Sequence, residues 1–515
     1  MLPPATRQRR FFRPKQVLPG LILSACVLWA QSVSPEGQPA AARQKGALPK
    51  RAQLVTLNIV AFDNHNQPVS DLTEDDFQIQ DQGKRQQIVY FRRNETKPRA
   101  AAPADSHEYS NRNGNTVEQA TVILLDLLNA NLSDRGSGWE GVAKALERLE
   151  TNENLYFYFL TAEAKLYPVH GLPAGDAANK SDPNWTKQIR ATIDKDLREV
   201  NRLKPQDERD PTIRVTQTYK ALGTLASQIA GIPGRKNIIW ITHGVPVVFR
   251  TLTADMVDMT PQLRQFCGYL NQLGIAMYTV DQGGPGSNAP GGGGNEGPGY
   301  QSQDTLQQMA DLTGGHAYPG NNAENAIPTA IASARGSYLI RYDPPAQNWD
   351  NKFHKIKVNC TRKGVRIQAQ QGYFAMPREG EDRQLGAAFQ VAATNLLDAS
   401  GIGLRATAVP DPKGAHAFRY NVHVDPRDLL LSHQGDHDKA QLAVGIFALT
   451  DGRVEEGNPV LFNVDLTKQQ YETALKEDIP FAEDKAVPAQ AQKVRIVVMD
   501  LGTAETGAVT VPVAP

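Results

Sequence analysis

Few side chains in this sequence stand where they could do chemistry, and the first is Asp126, which closes the apolar run Thr121-Val-Ile-Leu-Leu-Asp126. An apolar run ending in a carboxylate reads as a central parallel strand whose acid lies at the carboxyl end of a sheet, where such sheets open ligand crevices. The carboxamides Asn129 and Asn131 follow directly, and a second apolar run, Asn237-Ile-Ile-Trp-Ile-Thr242, ends beside His243. Ser137 sits in a glycine-flanked turn that tempts as a nucleophile, but Glu140 three residues on makes it a capping box for the next helix. Asp75-Asp76 and Glu455-Glu456 are exposed-charge patterns. The chain carries no His-Glu-x-x-His, no Gly-x-Ser-x-Gly, no phosphate loop and no cysteine set beside a histidine. The glycine-rich stretch between Gln282 and Tyr300 lacks a Gly-Lys-Ser/Thr step into a helix and reads as a mobile loop. No catalytic residue and no cofactor is expected, and the reading is of a protein that is not an enzyme.

The elements that must position these residues alternate between strand and helix. Trp139, Val142, Ala143, Leu146 and Leu149 fall at helical spacing. Leu155–Leu160 and Leu166–Val169 form an antiparallel hairpin. Trp185–Leu203 is an amphipathic insertion, Thr216–Ile229 and Met256–Leu273 are helices, and Gly274–Val280 is a third buried strand. Helices around Asp304–Leu312 and Glu324–Ala334 close the unit. This rhythm predicts an α/β fold with a doubly wound, mostly parallel sheet over 119–335. Residues 52–93 and 336–377 alternate apolar and polar positions, as in Val55, Leu57, Ile59 and in Ser337–Tyr342. Each is too short to stand alone, so the two are expected to pack together in one small β-sandwich. The segment 94–118 reads as a linker and 378–400 as a connecting helix. Residues 401–515 alternate again, apart from a helix near Thr467–Leu475, and predict a C-terminal β-sandwich.

At 515 residues the chain is long enough for about three domains. Arg7, Arg9, Arg10, Arg13 and Lys15 precede an apolar run from Val17 to Ala30, the pattern of a signal peptide over 1–30. Leu23-Ser24-Ala25-Cys26 also reads as a lipobox, and an uncleaved anchor fits the same run. Residues 31–51 read as a tether. Losing five of the 55 cations leaves 50 against 55 acidic residues, a net charge of −5. Nothing in that balance suggests nucleic-acid binding, and no later run is long enough to span a membrane. The expected location is periplasmic or extracellular. Cys267 and Cys360 read as isolated thiols rather than a framework, with one bridge between them left open.

Asp126, Thr216-Gln-Thr-Tyr-Lys-Ala-Leu222 and Trp240-Ile-Thr-His-Gly244 resemble a von Willebrand factor A domain. Pro68–Phe77, Pro233–Trp240, Ser337–Asp343 and Gln371–Phe374 make the chain similar to the von Willebrand factor A-related family of exported acidobacterial proteins. The resemblance spans 52–377 and implies an adhesion site in which a cation is held by Asp-x-Ser-x-Ser, a later threonine and a final aspartate. A hard cation wants about six oxygens near 2.1 Å. Here Asp126 and Thr216 match, but the serine positions hold Leu128 and Ala130, and the final aspartate is replaced by His243. Asn129 and Asn131 lie one residue out of register. The implied site is degenerate and metal-free. Asp126 reads as a carboxylate accepting backbone N–H bonds at a helix start; His243 reads as a satisfied loop histidine, a partner to Asp126 or a zinc ligand. The function implied is a non-catalytic interaction module contacting a protein or polysaccharide of the cell envelope through Asp126, Asn129, Asn131, Thr216, His243 and the 282–300 loop. The alternatives are a structural envelope scaffold and a metal-dependent adhesion protein or enzyme.

Overall fold

The computed structural model describes residues 42–44, 54–93, 108–112, 120–130, 139–149, 154–172, 185–200, 211–282 without 252–254, 302–375 without 321 and 346–348, and 381–513 without 396, 413, 451–452 and 456–458. Its central feature is a six-stranded mixed sheet of β1 (Ala120–Asp126), β2 (Leu155–Leu160), β3 (Leu166–His170), β4 (Lys236–Thr242), β5 (Ile275–Asp281) and β6 (His316–Tyr318). The spatial order is β3-β2-β1-β4-β5-β6, parallel throughout except for β3 at one edge. The chain begins in the middle, runs to one edge and then fills the other side, which leaves a switch point between β1 and β4.

Both faces of this sheet are covered, so its strands can be apolar throughout. The helices are α1 (Glu140–Glu147), α2 (Trp185–Val200), α3 (Pro211–Ile229), α4 (Thr260–Gln272), α5 (Ser302–Thr313) and α6 (Ala323–Arg335). Val122, Leu124, Ile238 and Trp240 pack with Leu222 of α3, Leu263 of α4 and Met309 of α5. Ile123, Leu125 and Ile239 point the other way, into Val142 of α1, Ile189 of α2 and Ala326 of α6. Gly315 lets the chain leave α5 against β5, since a Cβ there would lie 1.8 Å from the Met277 carbonyl oxygen.

The strands that precede and follow this unit pair with each other. Ser337–Tyr342 lies between Val55–Phe62 and Ile88–Arg93, and Phe353–Cys360 pairs with Phe77–Asp81. The two resulting four-stranded sheets share one core around Leu57, Ile59, Phe77, Ile79, Tyr338 and Ile340. The C-terminal region also has two antiparallel sheets over a common core, with Leu404, Tyr420 and Val422 on one side and Val444, Val464 and Ile496 on the other. Helix α7 (Glu381–Thr394) covers the outer face of the larger sheet through Phe389 and Ala393.

Several local expectations change. The segment read as a linker contains a strand, Tyr109–Ser110, that joins the smaller C-terminal sheet. Asn111 fastens it by donating to the carbonyls of Ala399 and Ile402, at 2.6 and 2.8 Å, and accepting from Leu404 N–H. These partners lie about 290 residues away, beyond the reach of any local pattern. In the tether, Ala42–Gln44 pairs with Leu461–Asn463 at the edge of the larger sheet. The expected helix over 256–273 is a short strand, Met256–Asp258, followed by α4, whose first turn takes Pro261 where no N–H is needed. Helix α1 starts at Glu140 with Trp139 as N-cap and no side-chain cap; Ser137 lies outside the described residues. Cys267 and Cys360 are free thiols.

Candidate functional site

The switch point places the carboxyl ends of β1 and β4 side by side, and with them Asp126 and Thr242. Alternation fixes where Asp126 goes: Val122 and Leu124 face α3, so Asp126 faces α3 as well. It is fully buried, with 0% exposure. Five donors surround it. Oδ1 accepts from the backbone N–H groups of Leu128 and Asn129, both at 3.0 Å. Oδ2 accepts from Asn129 Nδ2 at 2.7 Å, Trp240 Nε1 at 3.1 Å and Thr242 Oγ1 at 2.7 Å. An ionised carboxyl offers about four lone-pair positions, so this one is saturated. Burial pushes the Asp126 pKa above its ordinary value, against the opposing pull of the Asn129, Thr242 and Trp240 bonds. Every partner is a donor, which suits the ionised form.

Asn129 binds the site together. Its Nδ2 donates both to Asp126 Oδ2 and, at 3.0 Å, to Thr218 Oγ1. Thr218 in turn donates to the Arg214 carbonyl at 2.9 Å. The carboxamide NH2 thus occupies the bridging place between an acid and a hydroxyl that a cation would take. The amide cannot be turned over, because its oxygen would then face the Asp126 carboxylate. The residues do not fit a divalent ion: the acid has no free lone pair, Thr218 Oγ1 already donates and accepts, and the buried Asn129 Oδ1, which has no hydrogen-bond partner among the described residues, is one neutral oxygen where about six are wanted.

The five residues expected to meet a partner fare differently. Asp126 and Asn129 are buried, and their side chains are hydrogen-bonded within the protein. Thr216 is exposed on α3 and does not join the site; Thr218 takes that place. The cause is helical spacing, since Val215, Thr218, Leu222 and Leu225 form the buried stripe and Thr216 lies off it. His243 is half-buried beyond β4. Asn131 and the 283–300 part of the glycine-rich loop lie outside the described residues. The sequence reading missed Thr218, Trp240 and Thr242, although the parity of Ile238, Trp240 and Thr242 along β4 would have put the last two on the Asp126 face.

Above this network the same end of the sheet carries an apolar rim. In such a fold the turns after strands and the starts of helices share the carboxyl side. Leu128, Val247, Val257 and Met259 are half-buried over the core there. Ile213 at the start of α3 and Met256 before α4 remain 44% and 59% exposed.

No family model and no curated protein matches the chain. Among solved structures it is similar to an aerotolerance-related membrane protein from Bacteroides fragilis NCTC 9343, at 15% identity over 42% of this chain and 98% of that one, with a TM-score of 0.26. It is also similar to the human COPII-coat protein Sec24c, at 9% identity over 77% of this chain and 43% of that one, with a TM-score of 0.23. Neither assigns the chain to a family.

Proposed function

We propose that this chain is an exported, non-catalytic interaction module of von Willebrand factor A type, whose adhesion site works without a metal. The saturated Asp126 carries the reading: a carboxylate holding five donors has no lone pair for a cation and no freedom to act as a base. The strand order, with its single antiparallel edge and an acid ending the first strand at the switch point, supports the domain type. Export rests on the five cations ahead of the Val17–Ala30 run. Partner contact then falls to the rim, where exposed Ile213 and Met256 offer apolar anchors for a protein surface.

Titration calorimetry with Mg²⁺ and Mn²⁺ tests the metal-free site. No binding is expected, and micromolar affinity abolished by Asp126→Ala would overturn it. For the rim, cross-linking of the full chain to envelope proteins should be insensitive to EDTA and weakened by Met256→Glu with Ile213→Glu. Cross-links that need a divalent cation, or that ignore both substitutions, count against the rim.

A further inference from the structure

A cavity of about 910 Å³ lies where the α/β unit, the flanking β unit and the C-terminal region meet. Its size is that of small-molecule sites. Helix α4 forms one wall and sets Gln262, Gln265, Tyr269 and Gln272 along it at spacings of three and four residues, a single helical face. Leu263 and Leu270 turn instead into the sheet core. None of the three glutamine side chains has a hydrogen-bond partner among the described residues. Trp349 and Tyr373 also line the cavity, as an edge-on pair with ring centroids 5.8 Å apart, the Tyr373 hydroxyl donating to Asp81 Oδ2 at 2.9 Å.

The lining carries three charged side chains, Arg264, Arg341 and Glu505, and the buried Arg264 Nε and Arg341 Nη1 have no hydrogen-bond partner among the described residues. Arg341 Nη2 donates to Glu505 at 2.7 Å, which leaves Arg264, whose guanidinium lies 4.2 Å over the Phe374 ring. With one carboxylate against two guanidinium groups the lining has little net charge, too little to match a multiply charged ligand. An extended peptide is disfavoured for another reason. Beside the cavity, the outer edge of Val55–Phe62 has its Thr56 and Asn58 carbonyls already taken by Gln370 Nε2 and Arg235 Nη1, both at 3.0 Å, so no strand can be added there. What remains is a site of low net charge rich in carboxamides, each of which donates and accepts at once, together with aromatic surfaces. Hydroxyl groups also donate and accept, and the C–H faces of pyranose rings lie flat on aromatic rings.

We infer that this cavity binds a neutral oligosaccharide, held by the glutamine and tyrosine stripe of α4. The site is independent of the apolar rim, and either can fail without the other.

The test is a glycan array probed with the full chain, followed by calorimetry with cellotriose, maltotriose and triacetylchitotriose. At least one neutral oligosaccharide should bind, and Gln265→Ala and Gln272→Ala, both at the exposed side of α4, should each weaken it about tenfold or more while thermal unfolding is unchanged. Met256→Glu on the rim should leave the affinity as it is. Three results would overturn the inference: no neutral glycan bound by the folded chain, binding indifferent to both α4 substitutions, or preferential binding of N-acetyl-trialanine amide at the same site.

Discussion

Replacing Glu505 by glutamine asks whether three cations at the junction of the units depend on one carboxylate. Glu505 Oε1 accepts from Arg341 at 2.7 Å, and Arg92 and Lys236 act on the same group. Burial alone would raise its pKa, but Arg341, Arg92 and Lys236 outweigh burial and hold Glu505 at about 2, against an ordinary 4.5. That displacement is worth about 3 kcal/mol of stability. The side chain keeps 19% exposure, so screening trims the contribution toward roughly 2 kcal/mol. Stranding Arg341 adds to the loss, since its Nη1 has no partner and its Nε reaches only Thr56 Oγ1 at 3.3 Å. Removing one member of a buried pair costs about 3–5 kcal/mol, and the expected loss for Glu505→Gln at pH 7 is about 3 kcal/mol. A carboxylate with a depressed pKa stabilises fully above pH 4.5 and loses that contribution as pH falls toward 2. The gap between wild type and variant should therefore shrink to roughly half by pH 3. Urea unfolding followed by tryptophan fluorescence at pH 7, 5 and 3 reads both quantities. A gap below about 0.5 kcal/mol at pH 7, or one that stays constant down to pH 3, refutes the reasoning.

Thr218→Val should cost about 1–2 kcal/mol by leaving Asn129 Nδ2 one acceptor short, whereas Thr216→Val should stay within about 0.5; equal effects in urea melts would return Thr216 to the site. Burial lowers the Lys236 pKa from 10.5 to about 8, so its unfolded state holds the proton more tightly and stability should rise with pH between about 8 and 10.5. Lys236→Met should flatten that rise in thermal melts across this range. Asn111→Ala removes three buried hydrogen bonds, so limited proteolysis should cut near 108–112 faster than in wild type, and an unchanged digestion pattern would show that the clamp is dispensable.

What could be read from the residues was the local part of the fold. The uninterrupted apolar runs of β1 and β4 report burial on two faces, a property of neighbouring residues, whereas the period-two alternation from Val55 to Ala61 marks one apolar face of a strand whose other face, at Asn58 and Val60, is buried as well. Boundaries suffered where a tertiary partner decided them. Met256–Asp258 is a strand because it pairs with Val248–Arg250, although its residues continue a helical pattern.

The candidate site divides along the same line. The lack of oxygen donors at Leu128 and Ala130 was visible, because an apolar side chain has no donor atom wherever it is placed. What surrounds Asp126 was not visible. Asp126 meets Asn129 three residues away, but Trp240 and Thr242 reach it from 114 and 116 residues further on, and Thr218 closes the bridge from a helix whose rotation alone separates it from Thr216. Residue types set which bonds were possible; the packing of α3 onto the sheet chose among them. The cavity is the extreme case, since its walls come from three separately encoded regions and exist only where those regions dock.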